Sequence, residues 1–493
     1  MADVESAHES DESPTQLDTL PPELLAQIFS HLTTPVGLMA AAATCHAAKQ
    51  ALAVHGPTVW AGMLAAPHLA PYDKPDVGPP GPLRCRGAMT LRRAWHSAWY
   101  RQKLYAYRMY VRCVRMHWPS RSFACGLYDG EVVISHLDTE LVAGGEGTYL
   151  PTRHERGEVI ALALGATVLV SGSGEPRYNR EACPQATLCF HDLASKTGFP
   201  AKTVGAADGG HTDSVNEVLL LGDDEELALS AGEDGVLIVW ECASAKPRHR
   251  CRVRVAPLPG SSSLPDCAVR SVVPVPGTTR VLAASADGVV RDWDWASGVL
   301  FGRTDVQWLH VQPRRLTALS FHAPTHTIAL GDEGGCLNVS KCFYRRAATN
   351  LGAAAWQSGE EGTARRIVLV QIGEVLPGQA TPQRPFPVNA CDVASVRHDG
   401  DKIVCAMRSG EFRVARVGPS SNHTHEALLN VDVPHWRFEF TLDARVRMYV
   451  SSVNYSADVL VSDGFDNRVL VIFVGEGARS EPSSPGESGG DSD

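Results

Sequence analysis

Two hydrophobic periods divide the chain. Near the start, Leu24, Leu25, Ile28, Phe29 and Leu32 recur at helical spacing and make one apolar stripe. Pro21 and Pro22 precede it, where a missing N–H costs nothing, and Glu23 lies at the positive end of the helix dipole. Thr33-Thr34-Pro35 ends this helix. A second helical run is expected over Val36–Val54, and a third from Pro57 onward, carrying Val59, Trp60 and Leu64. Three such short helices bury little by themselves, so their apolar faces ask for a partner. A further helix is expected from Ala88 to about Lys103, with Leu91, Trp95 and Trp99 along one face.

From Arg108 to Val474 the period falls to two, and the chain breaks into similar units of short strands. The clearest runs from Gly210 to Glu241, where Asp234-Gly235 turns one alternating strand into the next. More degenerate units follow the same plan around Asp129-Gly130, Ser171-Gly172, Asp287-Gly288, Asp332, Ser409-Gly410 and Asp463-Gly464. Seven units suit a closed β-propeller, which hides sheet edges by circular repetition. The last unit is one strand short. Residues Leu104–Arg108, just before the first unit, are the natural donor of that strand.

Composition narrows the picture. The formal net charge of −10 argues against general nucleic-acid or membrane-surface binding. No apolar run approaches the roughly 18 residues of a bilayer-spanning helix. The 13 cysteines are scattered without a Cys-x-x-Cys pair, so neither a disulfide framework nor a metal site is expected, and a reducing cytoplasmic or nuclear setting fits. No cofactor is implied. One basic island, Val77–Tyr128, holds ten Lys or Arg and no Asp or Glu; it is taken as a solvated face. Gly359–Pro387 is expected to be an irregular surface insertion.

Leu20-Pro21, Leu24, Leu25, Ile28, Leu32 and the later Val59-Trp60 together resemble an F-box. The resemblance implies that these eight residues dock a Skp-type adaptor and, through it, a cullin. Ala-Ala-Thr-Cys45-His46 departs from the usual middle of that motif. The Gly210–Glu241 unit resembles a WD repeat, which implies a buried relay joining His211, Ser230, Asp234 and Trp240. Such a relay satisfies polar groups enclosed between strands. That reading replaces a catalytic Ser-His-Asp triad, because the spacing and the Trp belong to the repeat.

In WD propellers two positions per unit face the partner-binding rim: the residue after the first-strand Val and the residue before the turn Asp. Carried over, they include Arg112, Tyr128, Arg270, Arg408 and Phe465, with Arg177, Tyr178 and Arg180 in a longer loop of the second unit. Arginine forks and aromatic anchors at one mouth would suit an acidic or phosphorylated protein substrate.

The expected organisation is therefore an acidic, disordered N-terminus (1–15), an F-box (16–66), and a Pro-rich spacer with a linker helix (67–103). A seven-bladed WD-repeat propeller (104–475) and a disordered acidic tail (476–493) follow. The fold class is mainly β, preceded by a small α-helical region. The order implies a non-catalytic substrate receptor of a Skp–cullin–F-box ubiquitin ligase, feeding proteasomal degradation. The alternative is a propeller scaffold outside any ligase.

Overall fold

The computed structural model describes residues 46–65, 69–74, 79–96, 100–137, 147–150, 154, 157–174, 186–195, 201–222, 224–253, 267–305, 315–344, 365–375, 392–408, 412–416, 439–440, 450–464 and 467–475. The chain forms two compact units, Met1–Trp99 and Tyr100–Asp493.

In the first unit, helix α1 spans His46–Leu64 and helix α2 spans Pro82–His96. A single 3-10 turn, Ala70–Tyr72, lies between them. The sequence puts a helix start near Pro57; the structure runs α1 straight through it. Proline inside a helix removes one N–H, and the preceding turns carry α1 past the gap. The described helix over 82–96 begins and ends earlier than expected, and Tyr100 already starts a strand. The boundary of the β region thus moves from 103/104 to 99/100. Ala51, Val59, Trp60, Met63 and Leu64 of α1, with Cys85, Ala88, Ala94 and Trp95 of α2, are buried. Arg84 grips Asp73 with two hydrogen bonds, 2.5 and 2.7 Å.

The second unit is a β-propeller. Strand β1 (Tyr100–Ala106) opens it, and consecutive antiparallel groups of four follow. They are β2 to β5 (Val111–His117, Ser122–Leu127, Val132–His136, Thr148–Tyr149) and β6 to β9 (Glu158–Leu164, Val168–Gly174, Leu188–Asp192, Ala201–Val204). Next come β10 to β13 (Val215–Leu221, Leu227–Gly232, Val236–Glu241, Lys246–Arg252) and β14 to β17 (Val269–Val275, Arg280–Ser285, Val289–Asp294, Val299–Asp305). Then come β18 to β21 (Leu316–His322, Thr327–Asp332, Leu337–Tyr344, Arg365–Val375) and β22 to β25 (Val393–His398, Lys402–Met407, Phe412–Arg416, Glu439–Phe440). Strands β26 to β28 (Val453–Tyr455, Val459–Gly464, Arg468–Val474) end the array.

By hydrogen bonding these strands form six sheets. One has eight strands, because β17 and β21 pair in parallel over two residues, Gly302 with Arg365 and Arg303 with Arg366. The sequence expectation of seven separate units therefore meets six hydrogen-bonded sheets. Within the irregular insertion expected over Gly359–Pro387, Arg365–Val375 forms strand β21, and the rest lies outside the described residues. Residues Ile367–Val375 of this strand pair along β20 from Leu337↔Val375 to Tyr344↔Ile367. β-Branched residues at strand spacing override the Gly and Pro on either side.

The β26–β28 group takes its fourth strand from the other end of the chain. β1 pairs antiparallel with β28 over seven residues, Tyr100↔Val474 to Ala106↔Arg468. The donor strand begins four residues before the position expected from sequence. Asn467 Nδ2 donates to Tyr107 O at 2.7 Å and extends the seam.

The first strands touch in a ring, β2 to β6, β10, β14, β18, β22, β26 and back to β2. The core lies between adjacent sheets rather than at one centre. Val170, Phe190, Val218 and Trp240 form one buried cluster; Leu229, Val239, Val272 and Trp293 belong to the next. Second-strand glycines permit this approach. A Cβ on Gly172 would meet Val215 Cγ1 at 2.7 Å, and one on Gly331 would meet Val393 Cγ1 at 2.4 Å. Side-chain hydrogen bonds stitch the ring: Asn216 Nδ2 to Val269 O at 2.9 Å, Thr317 Oγ1 to Val393 O at 2.7 Å, and Asn454 Nδ2 to Val114 O at 2.7 Å.

Candidate functional site

The rim is built by bulges. In six first strands the pairing register slips just after the leading apolar residue, between Val111/Cys113, Val159/Ala161, Val215/Glu217, Val269/Ser271, Leu316/Ala318 and Val393/Ser395. The residue skipped in each case is Arg112, Ile160, Asn216, Arg270, Thr317 or Ala394. A bulged residue leaves the ladder and can be aimed elsewhere. These are the first-strand positions that the sequence assigns to the rim.

The rim arginines, Arg112 and Arg270 at bulges and Arg408 before a turn, do not stand free. Arg112 pairs with Glu158, and Arg270 Nη2 donates to Glu233 Oε1 at 2.6 Å. Arg408 Nε lies 3.4 Å from Asp392 Oδ2. Each guanidinium thus already holds a carboxylate, which corrects the picture of an open positive mouth. Burial raises the Glu158 carboxyl above its ordinary range, and the Arg112 charge and hydrogen bond pull it back. Glu158 and Asp392 enter the rim from positions that local spacing does not mark. Tyr128 is 44 % exposed and Tyr110 56 %, and their rings meet edge to face at 6.2 Å. Tyr110 has no counterpart among the sequence-assigned positions; its neighbour Tyr128 was the available signal. Arg177, Tyr178, Arg180 and Phe465 lie outside the described residues.

Beneath the rim sits the relay of the β10–β13 sheet. Trp240 Nε1 donates to Ser230 Oγ at 2.8 Å, and Ser230 Oγ lies 2.7 Å from His211 Nε2. His211 Nδ1 lies 3.0 Å from Asp234 Oδ1. With Asp234 accepting, Nδ1 carries the hydrogen and Nε2 accepts from the serine, so every donor is used. Asp234 also accepts from the N–H groups of Thr212 (3.0 Å) and Val236 (3.1 Å). Burial pushes its pKa up, but the His211 bond and these N–H donors outweigh it and hold it below the usual range.

A second relay, absent from the sequence reading, lies in the β6–β9 sheet. His154 Nε2 is 2.9 Å from Ser171 Oγ, and His154 Nδ1 is 2.6 Å from Thr187 Oγ1. Among the described residues no carboxylate joins it, and burial depresses the His154 pKa to about 3. His191 occupies the place of Trp240: Leu169, its register partner, precedes Ser171 by two, as Ala228 precedes Ser230. The signal was His154, seventeen residues before Ser171; a Thr in place of the turn Asp concealed it.

Of the expected adaptor-docking residues, Leu20, Pro21, Leu24, Leu25, Ile28 and Leu32 lie outside the described residues. Val59 and Trp60 fall on α1 and are 5 % and 6 % exposed. Cys85 Sγ lies 3.8 Å from Trp60 O. These two side chains are covered within the chain, where burying a large apolar group is worth roughly 1.5–3 kcal/mol. They do not form the open apolar face that the pattern implied.

Comparison with family models matches residues 17–60 to the F-box-like family, described as F-box-like. Residues 17–60 are an F-box-like domain, and a β-propeller follows in the chain. A search of curated proteins returned no match.

Proposed function

We propose that this protein is the substrate-receptor subunit of a Skp–cullin–F-box ubiquitin ligase. The observation that carries the reading is the F-box-like match at residues 17–60 ahead of a propeller. F-box domains generally bind Skp-type adaptors, which gives the first unit its partner; the propeller rim then holds the protein to be ubiquitinated. The subunit does no chemistry itself: it raises the local concentration of substrate lysines near a ubiquitin-loaded enzyme recruited by the cullin. The Ser-His-Asp grouping of the β10–β13 sheet supports this, since Ser230 is 0 % exposed and its hydroxyl is engaged by His211 and Trp240.

We further read the eight-stranded sheet as two blades joined along their outer strands, which gives seven WD-type blades. The ring of first strands from β2 to β26 and the complete relay of β10–β13 support this. A cytoplasmic or nuclear location goes with the same reading. An acidic or phosphorylated substrate would have to displace Glu158, Glu233 and Asp392 from their arginines. The exposed Tyr110–Tyr128 pair offers an anchor without that competition.

The test is co-purification of the full chain with the Skp-type adaptor. Wild type is expected to capture it, and Leu20→Ala/Pro21→Ala to lose it. Equal capture, or none by wild type, removes the adaptor role and leaves a scaffold.

A further inference from the structure

The axial channel inside the ring of first strands is lined by three arginines with unequal partners: Arg270, already held by Glu233, and Arg115 and Arg397. Arg115 on β2 pairs with Glu217 on β10, donates Nε to Leu162 O at 2.9 Å, and reaches Asn454 Oδ1 at 3.5 Å. Glu217 is further occupied by Ser271 Oγ, 3.3 Å away. Arg397 on β22 lines the same channel, and no hydrogen bond or ion pair engages its guanidinium among the described residues. Ser395 lies two residues earlier on that strand and also lines the channel. Burial lowers the pKa of Arg115 and Arg397, and the like charge of Arg397 lowers Arg115 further. Among the described residues, Glu217 is the one carboxylate lining the channel; Arg270 is held by Glu233 outside that lining, Asp463 acts on Arg115 from further off, and no carboxylate pairs with Arg397. Arg397 stays half-buried at the channel wall with no carboxylate paired to it among the described residues, so the channel presents positive charge that a small anion can meet.

The space limits what can meet it. The cavity measures about 70 Å³. That is several times the roughly 10–15 Å³ that admits one water, so it takes a few waters or one small oxyanion. A nucleotide or a folded peptide segment does not fit there.

We propose that the axial channel is a binding site for a small oxyanion, phosphate or carboxylate, held by Arg397 with Arg115 beside it. The guanidinium fork matches either group in a bidentate fashion. This site is separate from the adaptor-docking segment, and either proposal can fail alone.

The test is a titration of the full chain with inorganic phosphate, and separately with acetate, at constant ionic strength in a chloride background, read by calorimetry and thermal shift. Saturable binding of at least one probe is expected. In Arg397→Met its affinity should fall on the order of tenfold or more, while Arg248→Met, on exposed β13, should bind like wild type. Phosphate alone binding assigns a phosphate site; acetate alone assigns a carboxylate site. Arg397→Met should fold, because it removes a poorly compensated charge, and Arg397→Lys keeps the charge while losing the fork, so its affinity should lie between. No saturable binding of either probe, or equal binding by Arg397→Met, overturns the proposal.

Discussion

Two neighbouring stretches of the propeller solve the same problem differently. In β10–β13 the indole of Trp240 donates to Ser230, and the chain of bonds runs on through His211 to Asp234. In β14–β17 the corresponding tryptophan, Trp293, has Val281 as its register partner, so Ala283 stands where Ser230 would be. Trp293 Nε1 is buried and has no hydrogen-bond partner among the described residues. The turn carboxylate there, Asp287, is held instead by Arg291, at 3.1 and 2.6 Å. One sheet encloses a relay that ends on a carboxylate held by histidine and backbone N–H groups; the other encloses an ion pair and leaves a donor unmet. A turn carboxylate between strands needs a donor, but the donor need not be histidine.

The ion pair gives the largest expected effect. The Arg291 and Asp287 side chains are only 3 % and 6 % exposed. Arg291→Met leaves Asp287 buried without its charge partner, at a cost of about 3–5 kcal/mol. Arg291→Met with Asp287→Asn should recover much of that loss. Urea unfolding midpoints of the two variants check this; equal losses would mean that the turn carboxylate is indifferent to its donor.

Ser230→Ala comes next. It strands two groups at once, the Trp240 N–H and His211 Nε2, both within the sheet. At about 1–3 kcal/mol per unsatisfied buried group, a loss of about 2–4 kcal/mol is expected. The same denaturation experiment measures it. A loss under about 0.5 kcal/mol would make Ser230 no more important than Ala283 and dissolve the contrast.

Much of this was legible along the chain, for a physical reason. Alternation with period two fixes which residues share a sheet face, and the leading Val or Leu of six first strands marked the bulge beside it. Asp-Gly turns were equally visible; Gly235 and Gly288 adopt φ of 71° and 80°, where glycine is at ease. What stayed hidden depends on contacts between sheets. Nothing near Arg112 in sequence announces Glu158, and nothing near Arg115 announces Glu217. Strand β21 was obscured by its Gly- and Pro-rich flanks, and the His154 relay by a Thr where a turn Asp was expected.

The β6–β9 relay tests whether a carboxylate matters for acid tolerance. His154 is depressed to about 3 and His191 to about 4, both by burial, from an ordinary 6.5. A folded pKa below the unfolded one contributes stability that is complete above the unfolded value and is lost as pH falls toward the folded one. Stability should therefore decline from about pH 6.5 down to about 3, with His154 alone responsible for on the order of 2 kcal/mol at pH 4.5. His154→Gln should flatten that decline, because Gln does not titrate. Unfolding free energies at pH 7 and 4.5 give the difference directly; parallel wild-type and variant profiles would exonerate His154.

The smallest effect runs in the other direction. Ala283 is 0 % exposed, and Trp293 Nε1 is short of an acceptor. Ala283→Ser adds one oxygen at the place where Ser230 receives the Trp240 N–H in the neighbouring sheet. A buried hydrogen bond contributes about 0.5–1.5 kcal/mol net. The new hydroxyl must also give up its own hydrogen to an acceptor, so about 0.5 kcal/mol of stabilisation is the expected result. Trp293→Phe removes the unmet donor and separates the two causes. If the hydroxyl works through the indole, Ala283→Ser stabilises wild type but not Trp293→Phe. A gain of equal size in both backgrounds would show that the serine fills space rather than completing a bond, and that the β14–β17 sheet does not lack the relay in any energetic sense.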